Sequence, residues 1–181
     1  GRADGLEPGR YGGIPVRELL GGRRSKVDTP VDLWVTCRKC ASMHYRPEFE
    51  AALHVCPKCN YHDRISASAR IALLLDEPDA FDELDRDLTS SDPIEFERPA
   101  GPYRERVAKA RAVTGRNEAI VCGVGRLDGR PLALGVMEFD FIAGSMGAAT
   151  GEKIARLFEH AREHRLPLVI VTSSGGARQD E

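Results

Sequence analysis

At 181 residues, with a formal net charge of -2 and five cysteines, the chain has room for one ordinary domain plus a small module. Hydrophobic residues make up 41% and charged residues 30%, enough apolar material for a packed core beneath solvated helices. The near-neutral balance gives no general electrostatic reason to expect nucleic-acid binding. No apolar run is long enough to span a membrane, and "GRADGLEPGRYGG" lacks the apolar stretch of a signal peptide. A cytoplasmic location is expected, where paired cysteines are metal-bound thiolates more often than disulfides.

Residues 1–30 are rich in Gly and Arg with little apolar periodicity and read as a flexible leader, in which "IPVRELL" can dock locally. A cysteine module follows over 31–63, then a helical linker region over 64–116. In that linker Ser66 is placed to cap a helix carrying Ile71, Leu74 and Leu75 on one face. Pro78 ends it, and Phe81, Leu84 and Leu88 continue the spacing of three and four. Pro102 opens a second helix, "PYRERVAKARAV", which Gly115 terminates.

From 117 to 181 the pattern becomes α/β. Two apolar, partly alternating runs flank Asp128-Gly129, a hairpin signal. "SMGAATGEKIARLFEHAREHR" predicts a long amphipathic helix with Ile154, Leu157, Phe158 and Ala161 on one side. "LPLVIV" has the continuous apolar character of a strand buried on both faces, and "TSSGGARQDE" reads as a glycine turn entering a helix.

Within the module, Cys37, Cys40, Cys56 and Cys59 form two Cys-x-x-Cys pairs separated by fifteen residues. Each pair can supply two ligands from one knuckle, and fifteen residues suffice for a strand, a turn and a returning strand. A module this small cannot bury enough apolar surface to fold alone, so the metal replaces the missing core. Four thiolates leave no open position for water, so the zinc is structural. His44, His54 and His62 are then surface or hairpin residues. Arg38, Lys39, Arg46 and Lys58 could offer nucleic acid a basic face, although such charges are more often simply solvated. Cys122 lies in an apolar strand and reads as a buried thiol.

Two glycine motifs remain. In "AGSMGAATGEK", Gly144 and Gly147 permit positive φ next to a helix N-terminus, which suits either an anion or carbonyl ligand or a tight packed turn. In "SSGGAR", Gly175 and Gly176 follow a strand, where consecutive N–H groups can hold an oxyanion. Arg178 could meet an anionic substrate or pair with nearby carboxylates.

The order "WVTCRKC…HVCPKCNYHDRISASARIALLLDE", "FDELD", "AGSMGAATGEKIARLFEHA", "LPLVIVTSSGGAR" resembles the β subunit family of bacterial acetyl-CoA carboxylase carboxyltransferases over about residues 34–178. The resemblance implies a four-cysteine zinc ribbon followed by the first part of a crotonase-like ββα spiral domain, incomplete at the C-terminus. It implies transfer of a carboxyl group from carboxybiotin, on a separate biotin carboxyl carrier protein, to acetyl-CoA, giving malonyl-CoA, with an α-type subunit binding the biotin side. By the same resemblance Gly175 and Gly176 supply the N–H donors for the thioester enolate, and Gly144, Ser145, Met146, Gly147 and Arg178 contact acyl-CoA. The chain departs from the family in having Ala143 where Gly is usual, and Gln179, Asp180 and Glu181 where Met-Gln-Glu is common. A family domain also continues past Glu181, so an unfinished sheet with a covered edge is expected. The competing readings are an inactive acyl-CoA-binding or assembly protein and a zinc-ribbon nucleic-acid module. A related decarboxylase or a longer-chain acyl-CoA carboxylase would share the motifs.

Overall fold

The computed structural model describes residues 33–181 and, before them, only the pairing of Arg10–Tyr11 with Ile14–Pro15. Apart from that pairing, the leader expected over 1–30 lies outside the described residues. Two compact units divide between Asp63 and Arg64.

The first unit is a metal ribbon. Strand β1 (Trp34–Thr36) pairs antiparallel with β2 (Met43–Tyr45), placing Trp34 opposite Tyr45 with their rings edge to face at 5.9 Å. The return to the second knuckle is not the simple strand expected. A short helix α1 (Arg46–Ala51) intervenes, with Pro47 at its start, Glu48 in its first turn and Phe49 buried. The signal was the Arg-Pro-Glu sequence itself.

In the second unit, helix α2 (Ala67–Leu74) begins where Ser66 predicts it, the Ser66 Oγ accepting from the Ala69 N–H at 3.2 Å. A second donor is satisfied from far along the chain, since Ala67 N–H donates to the buried Glu138 carboxylate at 2.9 Å. The spacing at Phe81 and Leu84 proves extended. Asp82–Leu84 is strand β3, so 64–116 is not wholly helical. A two-residue ladder, Glu97–Arg98 with Gly101–Pro102, leads into α3 (Tyr103–Thr114), which Gly115 ends at φ 65°.

Strands β4 (Ile120–Leu127) and β5 (Arg130–Met137) form the expected hairpin, with Asp128 at φ 50° and Gly129 at φ 71°. Asp76, just beyond α2, accepts both turn N–H groups at 2.9 and 2.8 Å. Helix α4 (Ala148–His164) then crosses to β6 (Leu168–Val171), which lies parallel to β5 with Leu168 opposite Ala133. The four-stranded order is β6-β5-β4-β3.

Alternation along the central strands feeds two cores. Val121, Leu132, Leu134 and Val136 pack with Ala67 and Ile71 of α2, whereas Ile120, Cys122, Ala133 and Met137 pack with Leu157 and Ala161 of α4. Cys122 is fully buried, as expected. Phe158, expected on the buried face of α4, is instead 53% exposed, and Val169 of β6 is 40% exposed, so β6 is not covered on both faces. No helix forms after it within the described residues, and 172–181 run as loop. A Ser66→Ala variant should lose about 1 kcal/mol of stability in denaturant titration; an unchanged midpoint would show that Glu138 alone satisfies this helix start.

Candidate functional site

The two Cys-x-x-Cys knuckles are near copies. Ala41 N–H donates to Cys37 C=O at 2.9 Å and Asn60 N–H to Cys56 C=O at 2.8 Å, with Ala41 and Asn60 both left-handed at φ 55° and 56°. Cys37 and Cys59 sulfurs are 3.7 Å apart, as are those of Cys40 and Cys56, and all four lie within 4.8 Å of one another. A tetrahedron with metal–sulfur arms of about 2.3 Å has edges near 3.8 Å, so the set fits zinc. Burial works against ionisation of Cys56, but the Cys59 and Lys58 amides and the Ser42 hydroxyl push its thiol down to about 5. Burial and the neighbouring thiols push Cys59 up to about 12. A dication is what allows four such neighbours to ionise together.

The surroundings add two details. His44 lies in the β1–β2 hairpin, as expected, and its Nε2 also lies 3.3 Å from Cys56 Sγ. Two members of the basic set face acids: Arg38 approaches Asp63 at 3.4 Å, and Arg46 approaches Glu50 at 3.8 Å.

In the α/β unit the two glycine motifs meet. Met146 and Ala177 form a parallel bridge, with Met146 N–H donating to Gly176 C=O and Arg178 N–H to Met146 C=O, both at 2.9 Å. Ile142, Ala143 and Gly144 take three consecutive left-handed conformations, φ 48°, 55° and 63°. Such φ values cost a non-glycine residue roughly 1–2 kcal/mol each. The turn is held by Gly144 N–H to Phe141 C=O at 2.9 Å, by Ser145 N–H to Ile142 C=O at 3.1 Å, and by Gly175 N–H to Ala143 C=O at 2.9 Å. At Gly144 a Cβ would meet the Ser173 carbonyl oxygen at 2.1 Å, so the loops touch where only glycine fits.

This contact changes what the expected donors can do. The Gly175 N–H is already given to Ala143, while the Gly176 N–H is bonded to the exposed Ser174 Oγ at 3.0 Å. Met146 is 43% exposed and presents its side chain at the surface. Gly147 lies against Glu181, whose carboxylate a Cβ would strike at 2.2 Å.

Arg178 turns inward and pairs with carboxylates, the alternative its sequence position also offered. Its side chain is 1% exposed. It donates to Glu118 at 2.5 and 3.1 Å, to the Tyr103 hydroxyl at 3.0 Å, to Glu181 at 3.3 Å, and to Ser145 Oγ and C=O at 3.1 and 2.7 Å. Burial opposes the guanidinium's charge, but the hydrogen bonds and charge of Glu118 outweigh it and raise the pKa above the usual arginine value.

Similarity to known proteins bears on this pair of features. Residues 67–181 match the carboxyl transferase domain model, and residues 34–59 match the acetyl-CoA carboxylase zinc finger domain. The chain belongs to the carboxyl transferase domain family. It is 46% identical over 149 residues to the chloroplastic acetyl-coenzyme A carboxylase carboxyl transferase subunit beta of Solanum bulbocastanum, and 47% to that of Lemna minor; each alignment covers 82% of this chain and 30% of the relative. The chain thus spans about 30% of the length of these curated relatives. A single-chain, multi-domain long-chain acyl-CoA carboxylase shares the fold at 20% identity, with TM-score 0.51, over 74% of this chain and 12% of that one. The carboxyl transferase unit is therefore a portion of a crotonase-like α/β fold preceded by a zinc ribbon with one structural zinc site.

Sequence reasoning missed Glu118, Tyr103 and Ser90 in this unit. Burial of the Glu181 carboxyl raises its pKa, but Ser90, the Tyr103 hydroxyl, the Ala148 N–H at the start of α4 and Arg178 together hold it below the ordinary value. Burial, with the same carboxylate's hydrogen bond, pushes the Tyr103 phenol up to about 12. No motif marks these residues: Tyr103 opens α3, Glu118 lies in the bend before β4 and Ser90 lies in a loop, and only the tertiary fold brings them together.

Two outcomes follow for the carboxyl transferase chain. Cys37→Ser should reduce bound zinc from one equivalent to none by elemental analysis, and retention of zinc would sink the four-thiolate site. Glu181 has a lowered folded pKa, so its contribution is present above the ordinary carboxylate value and lost as pH falls through the folded value. Thermal melts from about pH 6 to 3 should therefore show a shallower acid limb in Glu181→Gln than in the parent; parallel limbs would remove Glu181 from the acid response.

Proposed function

We propose that this chain is the β-type portion, on the acyl-CoA side, of a biotin-dependent acetyl-CoA carboxylase carboxyltransferase that forms malonyl-CoA. The observation carrying this reading is the joining of the 143–147 and 173–178 loops at the head of α4, within a chain of the carboxyl transferase family. Carboxybiotin on a separate carrier protein would supply the carboxyl group and, once decarboxylated, take the methyl proton. An α-type subunit would hold that side. The curated relatives are named as subunits of acetyl-coenzyme A carboxylase, which supports a multisubunit assembly.

This chain's own share is to stabilise the enolate oxygen of acetyl-CoA. Gly176 is the donor we assign, since its N–H is bonded only to an exposed hydroxyl that can rotate away when substrate arrives. Gly175 N–H fixes the distance between the loops. Gly144 and Gly147 allow close packing, Met146 offers exposed apolar surface to the substrate, and Ser145 and Arg178 hold the loops together. A cytoplasmic location belongs to the same proposal; the plant relatives are named chloroplastic. Among the described residues no helix is long and apolar enough to cross a membrane.

The test is carboxyl transfer to acetyl-CoA by the enzyme assembled with its α-type subunit and biotinylated carrier. Gly176 lies at φ 113°, so Gly176→Val must move the N–H, and kcat should fall by about 10²-fold or more with zinc content unchanged. Full turnover in that variant would remove the oxyanion assignment. Failure of the parent assembly to carboxylate acetyl-CoA would remove the substrate.

A further inference from the structure

The ribbon contains a second feature that the four cysteines do not explain. Ser42 Oγ lies 2.9 Å from Cys40 Sγ and 2.8 Å from His44 Nε2, and the same Nε2 lies 3.3 Å from Cys56 Sγ. Cys40 belongs to the first knuckle and Cys56 to the second. The pair Ser42–His44 therefore touches a sulfur from each half of the site.

The direction of the bonds follows from the chemistry of the partners. A thiolate can only accept, so Ser42 directs its single hydroxyl proton mainly to Cys40 at 2.9 Å, with Cys56 Sγ also within 3.7 Å of the hydroxyl, and its oxygen accepts from His44 Nε2–H. The Nε2–H is shared with the Cys56 thiolate. The imidazole cannot easily swing out of this arrangement. It stacks on Phe49 with ring centroids 5.6 Å apart and planes 14° from parallel, while His54 packs edge-on against the same phenyl ring at 5.4 Å. Phe49 is 2% exposed and comes from α1, so the helix between the knuckles provides the wall that orients His44.

A zinc ion with four thiolates carries a net charge of -2, in surroundings where Cys37 and Cys56 are each 1% exposed. Donors aimed at the sulfurs spread that charge, and they make each thiolate harder to displace. We propose that Ser42 and His44 act as a hydrogen-bonded strut linking the two knuckles, and that this strut sets how tightly the ribbon retains its zinc. Neither residue is a ligand. They act through Cys40 and Cys56, and the result is a slower loss of metal to competing chelators.

The experiment is zinc competition between the full chain and a chromophoric chelator, repeated with cobalt, whose thiolate charge-transfer bands report the ligand set directly. His44→Phe keeps the ring stacked on Phe49 but removes the N–H. Ser42→Ala removes the hydroxyl. Each should weaken zinc binding by roughly 10- to 100-fold while the cobalt spectrum still shows four thiolates. The double variant should lose little more than the worse single, because both residues belong to one chain of bonds. His44→Gln, which restores an N–H donor, should recover part of the loss. Unchanged zinc affinity in His44→Phe would overturn the proposal and leave His44 as a packing residue. A cobalt spectrum with fewer thiolate contributions in the parent than in the variants would overturn it differently, by making His44 a ligand.

Discussion

A guanidinium taken out of water loses several kcal/mol of hydration, which is recovered only if its donors meet acceptors in good geometry. Arg178 is in that position, and its acceptors come from separate parts of the sequence. Glu118 precedes β4, Tyr103 begins α3, Ser145 lies before α4, and Glu181 follows Arg178 itself. Removing any one of them leaves a buried charge with an incomplete shell. The two glycine loops are thus fixed at a distance set by a side chain neither loop could hold alone. Asp180 extends the arrangement outward by pairing with Arg98 at 3.4 Å and Arg106 at 2.6 Å.

The ribbon meets a different constraint by different means. Its apolar interior is Phe49 with the cysteines and a few partly buried neighbours, too little to offset the entropy of ordering it. Metal coordination closes that gap, and the backbone of each knuckle is shaped to present sulfur rather than to pack. Both units place residues in left-handed conformations where the chain must turn sharply around a functional point. In the ribbon these are Ala41 and Asn60, and beside α4 they are Ile142 and Ala143. The surrounding bonds hold the backbone in regions it would otherwise leave.

Much of this was legible in the residues. The cysteine spacing, the Ser66 cap, the Asp128-Gly129 turn, the Gly115 stop and the amphipathic α4 all depend on local chemistry, and a linear sequence records local chemistry well. The misses share a cause. Phe81 to Leu84 carry a helical spacing, yet pairing with Val124 to Cys122 makes the segment a strand. Phe158 has the right periodicity for a core position but lies where no described element covers it. Arg178 looked equally suited to substrate and to carboxylates, because nothing near it in sequence announces Glu118, sixty positions earlier. Gly175 read as a free donor, and only the tertiary bond to Ala143 reveals that its N–H is taken.

The left-handed turn from Ile142 to Gly144 also sets which positions can drift over generations. Gly144 is locked twice, by its φ and by the Ser173 carbonyl facing it, so neither repacking nor a smaller neighbour opens it to another residue. Gly176 is locked once, by φ alone, with open space around it. Gly175 is limited only by the Ala143 oxygen 3.3 Å from where a methyl would sit, a gap that slight movement can widen. Position 143 already carries a side chain in a conformation that favours glycine. The motif therefore has a graded alphabet: one position that admits a single letter, one held to few by φ, one where alanine is tolerated at a cost of roughly 1–2 kcal/mol, and one limited only by a contact that can relax.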